Sequence, residues 1–112
     1  PKETANKDFD RCYIPRLSYV TGDVDAHDVG VESDGRVVFV NTSYSCLAVP
    51  DQAHSFRPLW KPPFISKLAP EDRCHLNGLC VVDNKPRYVT ALGKTDTKGG
   101  WRENKNAGGL YL

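Results

Sequence analysis

Two stretches of this chain follow one plan, and few folds accommodate it. The first runs His27-Asp28-Val29-Gly30-Val31-Glu32-Ser33-Asp34-Gly35-Arg36-Val37-Val38-Phe39-Val40-Asn41-Thr42, and the second extends from Cys74-His75-Leu76-Asn77-Gly78-Leu79 to Tyr88-Val89-Thr90-Ala91-Leu92. Each opens on a His with a Gly three residues later, passes an acidic turn, and sets an Arg before an apolar run ending in Val-Asn-Thr or Val-Thr-Ala. Runs of β-branched residues punctuated by Asp, Asn, Gly and Pro favour strand, turn and strand over helix. In the second stretch, Leu79 to Val82 and Tyr88 to Leu92 flank Asp-Asn-Lys-Pro, which is the pattern of a hairpin. The two His are 48 residues apart, and a period of about 40 to 50 residues built from short strands is that of propeller blades. The expected fold is therefore all-β: about two β-propeller blades of antiparallel hairpins, at 25–72 and 73–112, preceded by an arm and edge strand over residues 1–24. Two unrelated hairpins in a β-sandwich are the plainer alternative.

Pro1 to Asp10 is polar except for Phe9, the composition of a peripheral arm. Cys12 to Val20 is more apolar and predicts a strand that Pro15 confines to an edge. Tyr44 to Val49 alternates apolar and small residues as a further strand would. Ser55 to Pro63 carries three prolines and predicts an extended connector, with Phe56 and Trp60 plugging a gap between layers. Phe64 to Arg73, with Pro70 followed by two acids, predicts a helical turn. Residues 93–109 form a long aperiodic loop of the kind that carries function or a solvated connection. Within it, Trp101-Arg102-Glu103-Asn104 is a candidate ligand-binding element, a flat ring beside charged and amide groups.

A propeller of four or more blades would need roughly twice these 112 residues. The chain has no Met, and it stops at Gly108-Gly109-Leu110-Tyr111-Leu112, where a strand begins. The expectation is a processed piece of a longer propeller, or a unit completed by further chains of the same or a parent protein, since open sheet edges invite pairing. A net charge of +1, from 15 basic and 14 acidic residues, lacks the concentrated positive field of a nucleic-acid surface. No apolar run approaches the roughly 20 residues of a transmembrane helix. A cytoplasmic location and, for a piece cut from a secreted precursor, an extracellular one both stay open; only the second would make Asn41-Thr42-Ser43 a glycosylation acceptor at Asn41. The four cysteines fit no paired zinc-ligand spacing. An extended Cys74 to Cys80 segment would hold its ends about 20 Å apart, beyond disulfide reach, so free thiols are expected.

Thr21 to Asp28 holds three Asp and one His. Such a set suits a divalent metal, with hard oxygens favouring calcium over zinc, or a turn whose carboxylates accept local backbone N–H groups.

The words Cys74-His75-Leu76-Asn77-Gly78-Leu79, Trp101-Arg102-Glu103-Asn104-Lys105 and Arg57-Pro58-Leu59-Trp60-Lys61-Pro62-Pro63-Phe64 resemble a family of conserved uncharacterised proteins, mostly bacterial, some fused to tetratricopeptide or oxygenase domains. The resemblance spans about Asp25 to the C-terminus and implies an inner portion of a longer propeller. More distantly, His75-Leu76-Asn77-Gly78-Leu79 followed by Tyr88-Val89-Thr90 resembles the strand opening of six-bladed calcium-dependent lactonases and related NHL-type propellers. That likeness implies an axial position for Asn77 as a metal ligand, or zinc held by axial His residues as in relatives that cleave hydroxyglycine peptides.

Two functional expectations follow. The first is a non-catalytic propeller piece acting in binding or assembly, with no cofactor. The alternative is a metal-dependent hydrolase or lyase, with calcium or zinc held on the axis by His27, Asp28, His75 and Asn77 and water activated on the ion. Missing ligands would then come from other blades or chains.

Overall fold

A computed structural model describes residues 8–112. Strands β1 (Ala26–Val31), β2 (Val37–Asn41), β3 (Cys46–Val49) and β4 (Arg57–Trp60) form a four-stranded antiparallel meander. Strands β5 (Leu76–Val82), β6 (Lys85–Ala91) and β7 (Leu110–Tyr111) form a second, three-stranded antiparallel sheet. The only helix among the described residues is a 3₁₀ turn over Gly100–Asn104. The chain is all-β, as its sequence pattern predicts.

Turn chemistry sets both hairpins. Asp83 and Asn84 take φ values of 49° and 62°, the positive pair that a two-residue turn needs to match the right-handed twist of its strands. The β1–β2 turn relies on Gly35 at φ 85°, a conformation that costs glycine little. Pro86, which the sequence places in the turn, already lies in β6, opposite Val81 at an irregularity in the pairing. A missing N–H is tolerated at such a point.

Alternation along β2 and β3 gives the molecule two apolar layers. Val38, Val40, Leu47 and Val49 pack against Leu76, Val89 and Ala91 of the second sheet, with Ile65 and Cys74 between. Phe39, Cys46 and Ala48 point the other way and are covered by Val24, Tyr44 and Phe56. Each fully buried Val, Leu or Ile contributes about 1.5–3 kcal/mol relative to exposure, so the interface between the sheets is the main source of cohesion. β1 lies beside β5. There a Cβ on Gly30 would come within 2.7 Å of Val81 Cγ2, which explains a glycine inside a strand.

Three local expectations are corrected. The edge strand expected within residues 1–24 does not form among residues 8–24: strand structure begins at Ala26, and Cys12 to Val20 is exposed throughout. The remainder of that arm, residues 1–7, lies outside the described residues. Arg57–Trp60, expected as a connector, is strand β4 at the edge of its sheet, where Pro58 removes no ladder bond that a neighbour requires. Phe64 to Arg73 contains no helix, because its backbone bonds to distant segments. Within 93–109 the loop winds into its 3₁₀ turn.

The two hairpins share more than their outline. In each, two pairings enclose a bulge: Ala26↔Asn41 then Val29↔Phe39, and Leu76↔Ala91 then Leu79↔Val89. The residue before each strand is left-handed, Asp25 at φ 47° and His75 at φ 49°. Such positive φ values are uncommon for residues other than glycine. This register matches Ala26 with Leu76, His27 with Asn77 and Asp25 with His75. The two His are therefore not at equivalent positions, although the sequence aligns them.

Candidate functional site

The densest chemistry gathers where residues 71–76 cross the turn between β2 and β3. Asn41 starts that turn with its side-chain oxygen accepting from Tyr44 N at 3.1 Å. Thr42 Oγ1 donates to the Leu76 carbonyl at 2.6 Å. The Ser43 carbonyl accepts from Glu71 N and Asp72 N at 3.0 and 2.9 Å, and Ser45 Oγ accepts from Arg73 N at 3.2 Å. One short polar turn thus fixes the path into β5, and buried backbone groups find the partners they require.

Asp72 is the hub beyond it. Its backbone is left-handed at φ 46°, and its carboxylate lies 3.0 Å from His75 Nδ1 and accepts from Trp101 Nε1 at 2.9 Å. The His75 ring sits against Trp101, centroids 4.3 Å apart, and meets the edge of the His27 ring at 4.8 Å. Arg102 covers the Trp101 ring at 4.3 Å, within cation–π range. A carboxylate behind an imidazole is the arrangement that orients a general base. Among the described residues, however, no Ser, Thr or Cys side chain is hydrogen-bonded to either imidazole.

The sequence-derived candidates separate into those brought together and those used elsewhere. His27 and His75 meet, but His27 Nδ1 lies 3.0 Å from the Asp25 carbonyl. Both carboxylate oxygens of Asp28 are engaged by backbone, Oδ1 by Val29 N at 2.8 Å and Oδ2 by Leu79 N at 2.7 Å. Asp28 thus joins β1 to β5 across the gap between the sheets. Asn77, half-buried in β5, takes the position equivalent to His27. Among the described residues no three His, Cys, Asp or Glu side chains are grouped to hold a metal ion. The four residues expected to ligate calcium or zinc do not fit one ion as they stand.

The ligand-binding element is likewise rearranged. Trp101 is buried, and its ring is flanked by His75 and Arg102, while Arg102, Glu103 and Asn104 are exposed. Asn41 is fully buried, so the folded chain does not present its amide for glycosylation. All four cysteines are free; Cys46 and Cys74 are buried, Cys12 and Cys80 exposed. Burial pushes the Cys46 thiol up to about 12 and raises that of Cys74, which suits packing and not thiolate chemistry.

Sequence reasoning missed Asp72 and the ion-pair group around Arg73. Arg73 is buried, with Nη1 on Asp96 at 2.8 Å, Nη2 on Glu71 at 2.7 Å, and Nη1 on Ser66 Oγ at 3.1 Å. The Arg73 guanidinium holds the Asp96 carboxyl down to about 2. The Pro70-Glu71-Asp72 word that resembles a helix start concealed both; the available signal was an Arg directly following two acids and leading into an apolar strand.

No helix is long and apolar enough to cross a membrane among the described residues. Comparison with curated proteins and with solved structures gives no match. The whole of residues 1–112 does match one family, and by that match the chain belongs to the domain of unknown function DUF4915.

Proposed function

We propose that this chain is a non-catalytic binding and assembly piece: two propeller-type blades completed by sheets from further chains of the same or a parent protein. The carrying observation is the equivalence of the two outer faces. Val38 and Val40 of β2 are buried against the second sheet, and the register sets Tyr88 and Thr90 of β6 in their place. Both are exposed, Tyr88 by 55%. Conversely, Leu79 packs into the core, while its counterpart Val29 on the first sheet is 61% exposed. The outer face of β6 therefore carries, at Tyr88 and Thr90, positions that the first sheet buries, and β1 exposes at Val29 a position that the second sheet buries, whereas Phe39, the counterpart of Val89, is covered by Val24, Tyr44 and Phe56. A contact between unlike faces is heterologous, the kind that closes rings when its rotation permits. The expected repeat supports the same reading.

A hydrolase or lyase built on His27, Asp28, His75 and Asn77 finds no equivalent support, because Asp28 is committed to two backbone N–H groups. The test is sedimentation of the purified chain over a wide concentration range. Wild type is expected to assemble beyond one chain, and Val29→Lys and Tyr88→Glu, which alter opposite faces, should each dissolve the assembly without unfolding it. A wild-type chain that stays monomeric and folded throughout would overturn the reading.

A further inference from the structure

The outer face of the first sheet is covered over Phe39 by Val24, Tyr44 and Phe56. Beside that cover, Phe39, Ala26, Val29 and Val37 line an open groove of about 450 Å³ together with His27 and Asp28. Val29 is 61% exposed and Val37 37%, and a contiguous apolar set bordered by polar residues is the mark of an interaction surface. The register of the two hairpins indicates what such a set packs against. Ala26, Val29 and Phe39 occupy the positions of Leu76, Leu79 and Val89, and those three meet Val38 and Val40 inside the chain. The counterpart of Val38 is Tyr88, which is exposed in the middle of β6.

Resting on the assembly reading above, we propose that Tyr88 of one copy of the chain seats in the groove formed by Ala26, Val29 and Phe39 of the next. Three features fit this occupant. The groove has Ala26 where the inner face has Leu76, and the entering side chain is Tyr88 where the inner one is Val38, so volume lost on one side is regained on the other, as close packing requires. A tyrosine that becomes buried needs a partner for its hydroxyl, and His27 and Asp28 give the groove a polar side. Finally, β6 carries Lys85 and Arg87 and no acid, whereas the β1–β2 hairpin sets Asp28, Glu32 and Asp34 against Arg36 alone. Opposite charge favours this contact between unlike faces and disfavours the pairing of two like ones.

Sedimentation of the full chain as Ala26→Leu and as Tyr88→Val, separately and mixed, reads this contact. Ala26→Leu fills the groove and keeps the tyrosine; Tyr88→Val keeps the groove and loses the tyrosine. Both positions are exposed, and Tyr88→Glu takes the place of Tyr88→Val where the latter fails to fold. Each variant alone is expected to associate at least about tenfold more weakly than wild type, the loss that follows when one central interface side chain is truncated or obstructed. An equimolar mixture holds one intact tyrosine and one intact groove per pair, and should form dimers that grow no further. A mixture that associates no better than the separate variants, or either variant assembling as tightly as wild type, would overturn the groove contact and leave the wider assembly reading in place. A wild-type chain that stays monomeric would overturn both.

Discussion

The hairpins β1–β2 and β5–β6 trace one backbone path with different side chains at its bulge. Both begin after a left-handed residue and both insert one extra residue after the first pairing. Yet the first carries His27-Asp28 in the bulge and the second Asn77-Gly78. The consequence is a division of labour. Asp28 reaches across to Leu79 N, whereas Gly78 N is satisfied within its own sheet by Thr90 Oγ1 at 2.8 Å. A bulge leaves backbone groups unpaired and bends the strand, and the two hairpins meet that demand by different means. Path is thus specified separately from polar chemistry, and resemblance at His27 and His75 does not carry a shared role.

The largest effect that would sharpen the contrast is expected at the first paired position. Leu76 is fully buried between the sheets, and its counterpart Ala26 is exposed. Leu76→Ala should destabilise the chain by about 2–5 kcal/mol through lost transfer energy and a residual cavity, whereas Ala26→Ser should change it by less than about 0.5 kcal/mol. Urea unfolding followed by tryptophan fluorescence reports both. Equal, small effects would mean that the two sheets do not rely on each other.

The strands were legible because alternation and turn residues are local signals. Val37 to Val40 and the Asp83-Asn84 turn belong to that class. β4 was not legible, since Pro58 argues against a strand until its edge position is known. Nor was the course of 64–73, whose decisive partners are the Ser43 carbonyl, Ser45 and Asp96, all remote in sequence. The site was half legible: the proximity of His27 and His75 was expected, but it arises from non-equivalent positions and through Asp72, which no spacing pointed to. A buried polar turn such as Asn41-Thr42-Ser43 reads locally as a surface motif; only the carbonyl it meets across the sheets reveals its function.

A smaller effect separates the middle of the bulged strands. Gly30 faces Leu79 and Val81, whereas Cys80, matched to it by register, is exposed. In Gly30→Ala the added carbon would overlap Val81 Cγ2 at 2.7 Å and crowd Leu79 Cδ2 at 3.1 Å. Overpacking of this kind costs about 1–3 kcal/mol. Cys80→Ala should be neutral in a monomeric, dilute sample. The same denaturation assay decides it, and a stable Gly30→Ala would show that β1 and β5 can separate without loss.

The smallest expected effect concerns the segment that leads into each hairpin. Arg73, one residue before buried Cys74, is held by Glu71 and Asp96; the matching residue ahead of buried Val24 is Asp23, which is exposed. Hydrogen bonds from Arg73 and Ser66 keep the Asp96 carboxyl at about 2, below its ordinary 3.8. A carboxylate depressed on folding stabilises the native state above its unfolded pKa and loses that contribution as pH falls through the folded value. Stability should therefore be flat above about pH 5 and decline between about pH 4 and 2 through this group. Asp96→Asn should flatten part of that decline and lower the plateau, because Arg73 then keeps only Glu71 as an anionic partner. Hydrogen exchange measured across this pH range should find the loss first at β5 and β6, since the segment leading into them depends on the ion pairs. Uniform loss across both sheets would place the acid-sensitive step in the shared core and remove the distinction between the two lead-in segments.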